Sequence, residues 1–260
     1  MKPYYEASGI TIYHGDCEEV LLTLASAQFD LLLADPPYGD TSLDWDVRGL
    51  AWLRMSMRLL KLSASIWCFG SMRMFMAQGK KISDLGWKTA QDLVWEKHNG
   101  SGFHADRFKR VHEHIVQFYM SRTRWDEVYK KPVTTPDATA RSVRRRNRPP
   151  HMGHIEAGRV CSYTSVDGGP RLMRSVIRCR SCHGYAKNPT QKPVGVLAAL
   201  VEYSCPPGGA LLDPTMGAGS SLVAAKILKR HATGIEIREE DCESAARRLE
   251  SSEGNQEVLL

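Results

Sequence analysis

The stretch LLDPTMGAGSSLVAAKILKRHATGIE, residues 211–236, most narrows what this chain can fold into. It reads as a strand, a glycine-rich turn, a helix and a second strand ending in an acid, with Glu236 lying 23 residues after Asp213. Glycines let a backbone approach a ligand closely, and an acid at the next strand end takes both ribose hydroxyls, so the layout is that of a nucleoside cofactor site. A nicotinamide reading fits less well. The turn GAG lacks the full GxGxxG spacing, and Asp213 before the glycines would repel a pyrophosphate seeking bare amides. An uncharged or cationic ligand tail suits the place better, and S-adenosylmethionine, with its sulfonium and amino group, supplies one.

The same alternation runs through the first 120 residues. Strands are expected at GITIYHG, at FDLLLAD ending at Asp35, at SASIWCFG, at KTAQDLVWEK and at HEHIVQFYM, with helices through GLAWLRMSMRLLK and after SASIWCFG. From Ser121 to about Lys187 the periodicity fades, and it returns with helices at KPVGVLAALVEYSC, SSLVAAKILKR and EEDCESAARRLE. The expected architecture is α/β, a parallel sheet with helices on both faces and an irregular insertion. With 260 residues and 42% apolar composition the chain buries a full core. No apolar run reaches the 18 residues of a membrane span, MKPYYEASGI lacks the apolar core of a signal peptide, and the seven cysteines are scattered. A soluble, cytoplasmic protein with reduced thiols is expected.

The formal charge of +6 is unevenly placed. Between Arg141 and Arg180 there are ten arginines, no lysine and only Glu156 and Asp167 as acids, a local excess of +8. Such asymmetry favours a polyanion, and Arg141, Arg144, Arg145, Arg146, Arg148, Arg171 and Arg174 are candidate phosphate contacts. A solvated basic loop is the bland alternative for any single run such as RSVRRRNRPP.

A second site follows the apolar run FDLLL, where ADPPYG occupies residues 34–39. Prolines fix backbone direction and leave carbonyls without competing amides. Asp35 and the Pro36 carbonyl are therefore placed to accept hydrogens from an exocyclic amine, with Pro37 stiffening the turn and Tyr38 positioned to stack on a base. A conjugated amine is a poor nucleophile, so orienting its lone pair is the main service a protein provides.

ADPPYG, NPTQKP at 188–193 and DPTMGAGS at 213–220, in that order, resemble the beta-arrangement DNA amino-methyltransferases, which methylate adenine N6 or cytosine N4. The resemblance implies a Rossmann-like sheet and S-adenosylmethionine as cofactor. It divides the chain into a catalytic half at 1–120, a target-recognition region at 121–187 and a cofactor-binding half at 188–260. By resemblance Asp35, Pro36, Pro37 and Tyr38 hold the flipped base. Asp213, Thr215, Gly217, Gly219 and Ser220 form the loop around the methionine part, and Glu236 binds the ribose. Asp16 lies near the cofactor's adenine, while Gln191 and Lys192 pack beside the cofactor. Thr215 departs from the family's usual phenylalanine, and Ala218 and Ser220 replace the common serine and threonine.

The reading implied is site-specific methylation of adenine N6 in duplex DNA by base flipping, of restriction-modification type and with a homodimer as one assembly. Adenine is preferred because cytosine members more often begin the catalytic motif with serine. Cytosine N4 is the alternative, and an inactive DNA-binding protein retaining the fold is another. An RNA or protein-glutamine methyltransferase would use asparagine in place of Asp35. No metal is expected: Cys179 and Cys182, with Cys161 and His183 nearby, make half a zinc site. His112 and His114 alternate along a strand and are read as structural. Trp52 is read as the buried face of a helix, and Trp45 as part of a loop, GDTSLDWD, covering the site.

Overall fold

The computed structural model describes residues 1–40, 49–101, 105–145, 161–182, 184, 186 and 191–251. In chain order the elements are β1 (Tyr5–Ala7), β2 (Ile10–His14), α1 (Cys17–Thr23), β3 (Phe29–Ala34), α2 (Ala51–Ser56), β4 (Leu60–Gly70), α3 (Met72–Asp84), β5 (Trp87–Ser101) and β6 (Arg110–Met120). There follow β7 (Thr134–Thr135), β8 (Arg141–Arg145), β9 (Cys161–Ser165), β10 (Arg171–Leu172), β11 (Val176–Arg178), α4 (Val194–Ser204), β12 (Ala210–Asp213), α5 (Ser220–Ile227), β13 (His231–Glu236) and α6 (Glu239–Glu250). Nine strands form one sheet in the order β1-β2-β13-β12-β3-β4-β6-β5-β11. From β2 to β4 all neighbours are parallel, and β6 then enters antiparallel between β4 and β5.

Burial explains the centre. All six residues of β3, FDLLLA, are buried, as a strand covered on both faces requires. Its one acid, Asp30, is satisfied by Lys61 Nζ at 2.8 Å and by the Ala210 N–H at 2.9 Å, which ties β3 to the start of β12. Across the sheet Trp67 Nε1 of β4 donates to Ser204 Oγ of α4 at 2.8 Å.

The expected helix over GLAWLRMSMRLLK is shorter in the structure. It ends at Ser56, and Leu60 already pairs with Phe29 in the sheet. Arg58 donates to the carbonyls of Leu21, Leu22 and Leu24 at the end of α1, and Leu59 and Leu60 are buried at 0% and 3% exposure. Sheet pairing and burial here override a helical apolar period.

Residues 132–174 form a compact unit of their own, separate from that of residues 1–131 and 175–260. It holds two antiparallel pairs, β7 with β10 and β8 with β9. The loop before β8 is closed by the Ala140 N–H on Asp167 Oδ1 at 2.6 Å and by Ser165 Oγ on the Thr139 carbonyl at 2.7 Å. Thus the span read as irregular contains a small folded piece, and β11, inside the same span, pairs with β5 of the large sheet. No helix among the described residues is long and apolar enough to cross a membrane.

Candidate active site

Parallel strands deliver their following loops to one edge of a sheet, and at this edge both predicted loops meet. Asp35 follows β3 and the glycine loop follows β12, its immediate neighbour. Thr215 joins them: its hydroxyl accepts the Asp35 N–H at 3.3 Å, while its own N–H donates to Asp213 Oδ1 at 3.0 Å. The departure noted at Thr215 therefore has a structural consequence, since phenylalanine could not make the first of these bonds.

Around Asp35 the polar groups form a linked set. Tyr38 donates its hydroxyl to Asp35 Oδ1 at 2.6 Å, and Lys192 Nζ meets Asp35 Oδ2 at 2.5 Å. Lys192 also lies 3.4 Å from Glu113 Oε2, and the Tyr38 hydroxyl is 3.5 Å from the same oxygen. Lys97 of β5 joins the set by pairing with Glu113 Oε1. Burial alone would raise the Glu113 carboxyl, but the ammonium groups of Lys192 and Lys97 outweigh it and hold the group down at about 2. Burial likewise disfavours the Lys192 ammonium, and Asp35 and Glu113 reverse that, holding it well above its ordinary value. For Tyr38 burial, then Asp35 and Glu113, push the phenol well above its ordinary value, so it remains a hydrogen-bond donor. Pro36 is buried, and beneath the two prolines lies an apolar hollow walled by Leu50, Trp52, Leu53, Cys68, Met74 and Phe118. Trp52 faces it from α2 with its indole N–H on the Gly49 carbonyl at 3.1 Å, in keeping with a buried helix face.

The glycine loop is built as its sequence suggests. Gly217 and Gly219 take φ of 51° and 73°, in the left-handed region. At Gly219 a Cβ would also stand 2.7 Å from the Ala245 Cβ of α6, so the position needs glycine twice over. Arg248 of α6 braces the loop, donating to the Ala218 carbonyl and to Ser220 Oγ. Asp213 is buried, with its oxygens on the Thr215 N–H and the Ser221 hydroxyl. Burial, helped by the nearby Asp35 and Glu236 carboxylates, raises it to about 7 against the two hydrogen bonds.

Glu236, at the end of β13, accepts the Gly217 N–H at 3.0 Å on one oxygen and the Arg238 N–H at 2.9 Å on the other. A carboxylate has about four lone-pair sites, so capacity for hydroxyl donors remains. Asp16 stands one turn away, where the Gly15 N–H bonds the Glu236 carbonyl at 3.0 Å, and it caps α1 through the Glu18 N–H at 2.8 Å. Gln191 is half-buried ahead of Lys192. The resemblance puts the lysine beside the cofactor, yet its ammonium is engaged by Asp35.

In the smaller unit Arg141 and Arg144 are exposed on β8, beside Tyr163 of β9, and Arg174 is exposed after β10. Arg171 differs, being ion-paired with Asp137. Arg145 lies in β8, while Arg146, Arg148, His183 and the GDTSLDWD loop with Trp45 fall wholly or largely outside the described residues. Cys179 is half-buried and Cys182 buried, and among the described residues no group of three or more potential metal ligands occurs. His112 and His114 pack ring edge to face at 5.1 Å, and burial, then His112, keeps His114 below its ordinary value.

Glu113 and Lys97 are the residues that sequence reading missed. A signal existed: Glu113 shares the strand parity of Ile115 and Gln117, both fully buried, so an acid was due on the inner face of β6.

Sheet order, glycine loop and acid-proline turn together define a Rossmann-like methyltransferase core. The sequence profile described as DNA methylase, of the N6 and N4 type, matches residues 29–247. The chain belongs to that family, the S-adenosylmethionine-dependent methyltransferases of exocyclic amines in DNA. Among its relatives is the type II methyltransferase M.HinfI of Haemophilus influenzae, 26% identical across 94% of this chain and 69% of the relative. Another is M2.DpnII of Streptococcus pneumoniae, 24% identical across 96% and 93%. The fold is similar to the crystal structure of the M1.HpyAVI–SAM complex, with a TM-score of 0.62 and 21% identity over 92% of this chain and 99% of that one. It is also similar to the cytosine-N4-specific PvuII DNA methyltransferase, with a TM-score of 0.71 and 13% identity over 96% and 90%.

Proposed function

We propose that this protein methylates the N6 amine of adenine in duplex DNA, the target base having left the helix. The observation that carries this reading is Thr215, which binds the Asp35 turn and the glycine loop into one site. The residues suit a cationic cofactor. Burial raises Asp213 first, the nearby Asp35 and Glu236 carboxylates add to it, and a sulfonium with an amino group would favour the ionised carboxylate against both. S-adenosylmethionine supplies the methyl group; Glu236 would hold its ribose, Asp16 its adenine side, and Asp213 with Gly217, Gly219 and Ser220 its methionine part.

The protein's own share of the reaction is orientation. Asp35 and the Pro36 carbonyl accept the amine hydrogens, pointing the nitrogen lone pair away from the protein groups, and Tyr38 offers its ring to the base. As the nitrogen gains positive charge, the Asp35 carboxylate becomes a stronger partner, which favours the transition state over the ground state. Glu113 acts through others, as a positioning residue. It gives Lys192 a second carboxylate, so the ammonium has somewhere to remain when the amine claims Asp35 Oδ2.

Arg141, Arg144 and Arg174 would hold phosphates. Adenine is preferred over cytosine N4 because the clamp begins with Asp35 and not serine. Tritiated methyl transfer to unmethylated duplex DNA, followed by nucleoside digestion, tests the choice. Label in N6-methyladenine is expected; label confined to N4-methylcytosine would keep the mechanism and overturn the base.

A further inference from the structure

The approach to β6 carries a feature that the catalytic clamp does not use. Phe108 is 100% exposed, and its neighbours are Arg107, Lys109 and Arg110, with Asp106 the one acid beside them. A single exposed apolar side chain is ordinary and by itself means nothing. Its place in the fold is what gives it weight. Because β6 runs antiparallel to β4, with His114 opposite Gly70, residues before His114 pass beyond the carboxyl end of β4. Ala34 pairs with Cys68 on the other side of β4, so Asp35 leaves the sheet at that same edge.

Phe108 is thus carried on the catalytic edge, five residues from Glu113, which touches both Tyr38 and Lys192. Five residues reach at most about 17 Å. The charge of the segment selects the partner. Lys109 and Arg110 suit the phosphates of a duplex, Arg107 being paired with Asp106 at 2.8 Å, and an aromatic ring beside cations suits a base step.

We infer that residues 106–110 are a second DNA contact, in which Phe108 enters the base stack beside the extruded nucleotide and the flanking cations hold its phosphates. The inference rests on the methyltransferase reading and adds to it a device for opening the helix. Removing the base opposite the target lowers the cost of extrusion, so a wedge should matter most when that base is present.

The test uses the full chain and a duplex oligonucleotide carrying the site mapped from methylated plasmid DNA, in a paired form and in a form with an abasic site opposite the target. Phe108→Ala is expected to lower kcat/KM on the paired duplex about tenfold and to stay within about twofold of wild type on the abasic duplex. Phe108→Trp should retain the paired rate. Wild-type turnover of the paired duplex by Phe108→Ala, or an equal loss on both duplexes, would overturn the wedge while leaving the methyltransferase intact. Failure of the wild type to methylate either duplex would instead remove the reading beneath it.

Discussion

Lys192 shows how a single side chain changes meaning once its neighbours are known. In sequence it belongs to PTQKP and is assigned to the cofactor by resemblance; in the fold its ammonium bridges Asp35 and Glu113 at 2.5 and 3.4 Å. Replacing Glu113 by glutamine should therefore weaken the grip on Asp35 and Tyr38 without touching the cofactor loop. A hydrogen bond between charged groups contributes about 1.5–3 kcal/mol, so kcat should fall about 10- to 100-fold. Cofactor affinity measured by calorimetry should be unchanged, and a matching loss of cofactor binding would point to general disruption of the fold.

Asp213 offers a second test at this scale. Its carboxyl is raised by burial from 3.8 to about 7, so the folded protein holds a proton there that the unfolded chain has lost, and its contribution to stability declines as pH rises between those values. A cationic cofactor favours the anion, so binding below pH of about 7 should expel a proton, and affinity should increase from about pH 6 to 8 before levelling. Calorimetry at pH 6 in two buffers of different ionisation enthalpy reads that proton directly. Asp213→Asn should show none, and absence of proton release from the wild type would refute the assignment. The acids Asp35, Asp213 and Glu236 were legible because each ends an apolar strand. Glu113 was not, since two flanking histidines drew attention to metal spacing and away from the strand's inner face.

At the level of elements, sequence periodicity located most helices and strands but misjudged the segment after residue 56. There LRMSMRLLK continues a helical apolar period, while Arg58 binding the end of α1 and Leu60 pairing with Phe29 turn the chain into β4. Neither long-range interaction leaves a local mark. The antiparallel entry of β6 was equally hidden, because strand type can be read from alternation whereas neighbour order cannot.

The β8–β9 pair yields a prediction of its own. Arg141 and Arg144 are exposed there with Tyr163, whereas Arg171 is occupied by Asp137. Changing Arg141 and Arg144 to serine should weaken DNA binding and flatten its log-log salt dependence by about 0.9 for each phosphate that is no longer neutralised. Arg171→Ser should leave the slope nearly as it was and lower thermal stability instead. A slope unaltered by the first pair would exclude them from the phosphate interface.

Taken whole, the chain concentrates an excess of positive charge in one stretch and sets four carboxylates at one sheet edge. Residues 141–180 carry an excess of +8 in a chain of +6, and Asp35, Asp213, Glu236 and Glu113 gather where β3, β12, β13 and β6 end or begin. A polyanion and a cationic cofactor are the complementary ligands for such a division. The proposed role of Asp35, directing an amine of DNA toward methyl transfer, is tested most directly by comparing wild type and Asp35→Ala for tritiated methyl incorporation into unmethylated duplex DNA, with S-adenosylmethionine affinity measured on the same preparations. Incorporation by the wild type, its loss by more than about a hundredfold in the variant, and cofactor affinity within about threefold are predicted. Near-normal incorporation by Asp35→Ala would contradict the account.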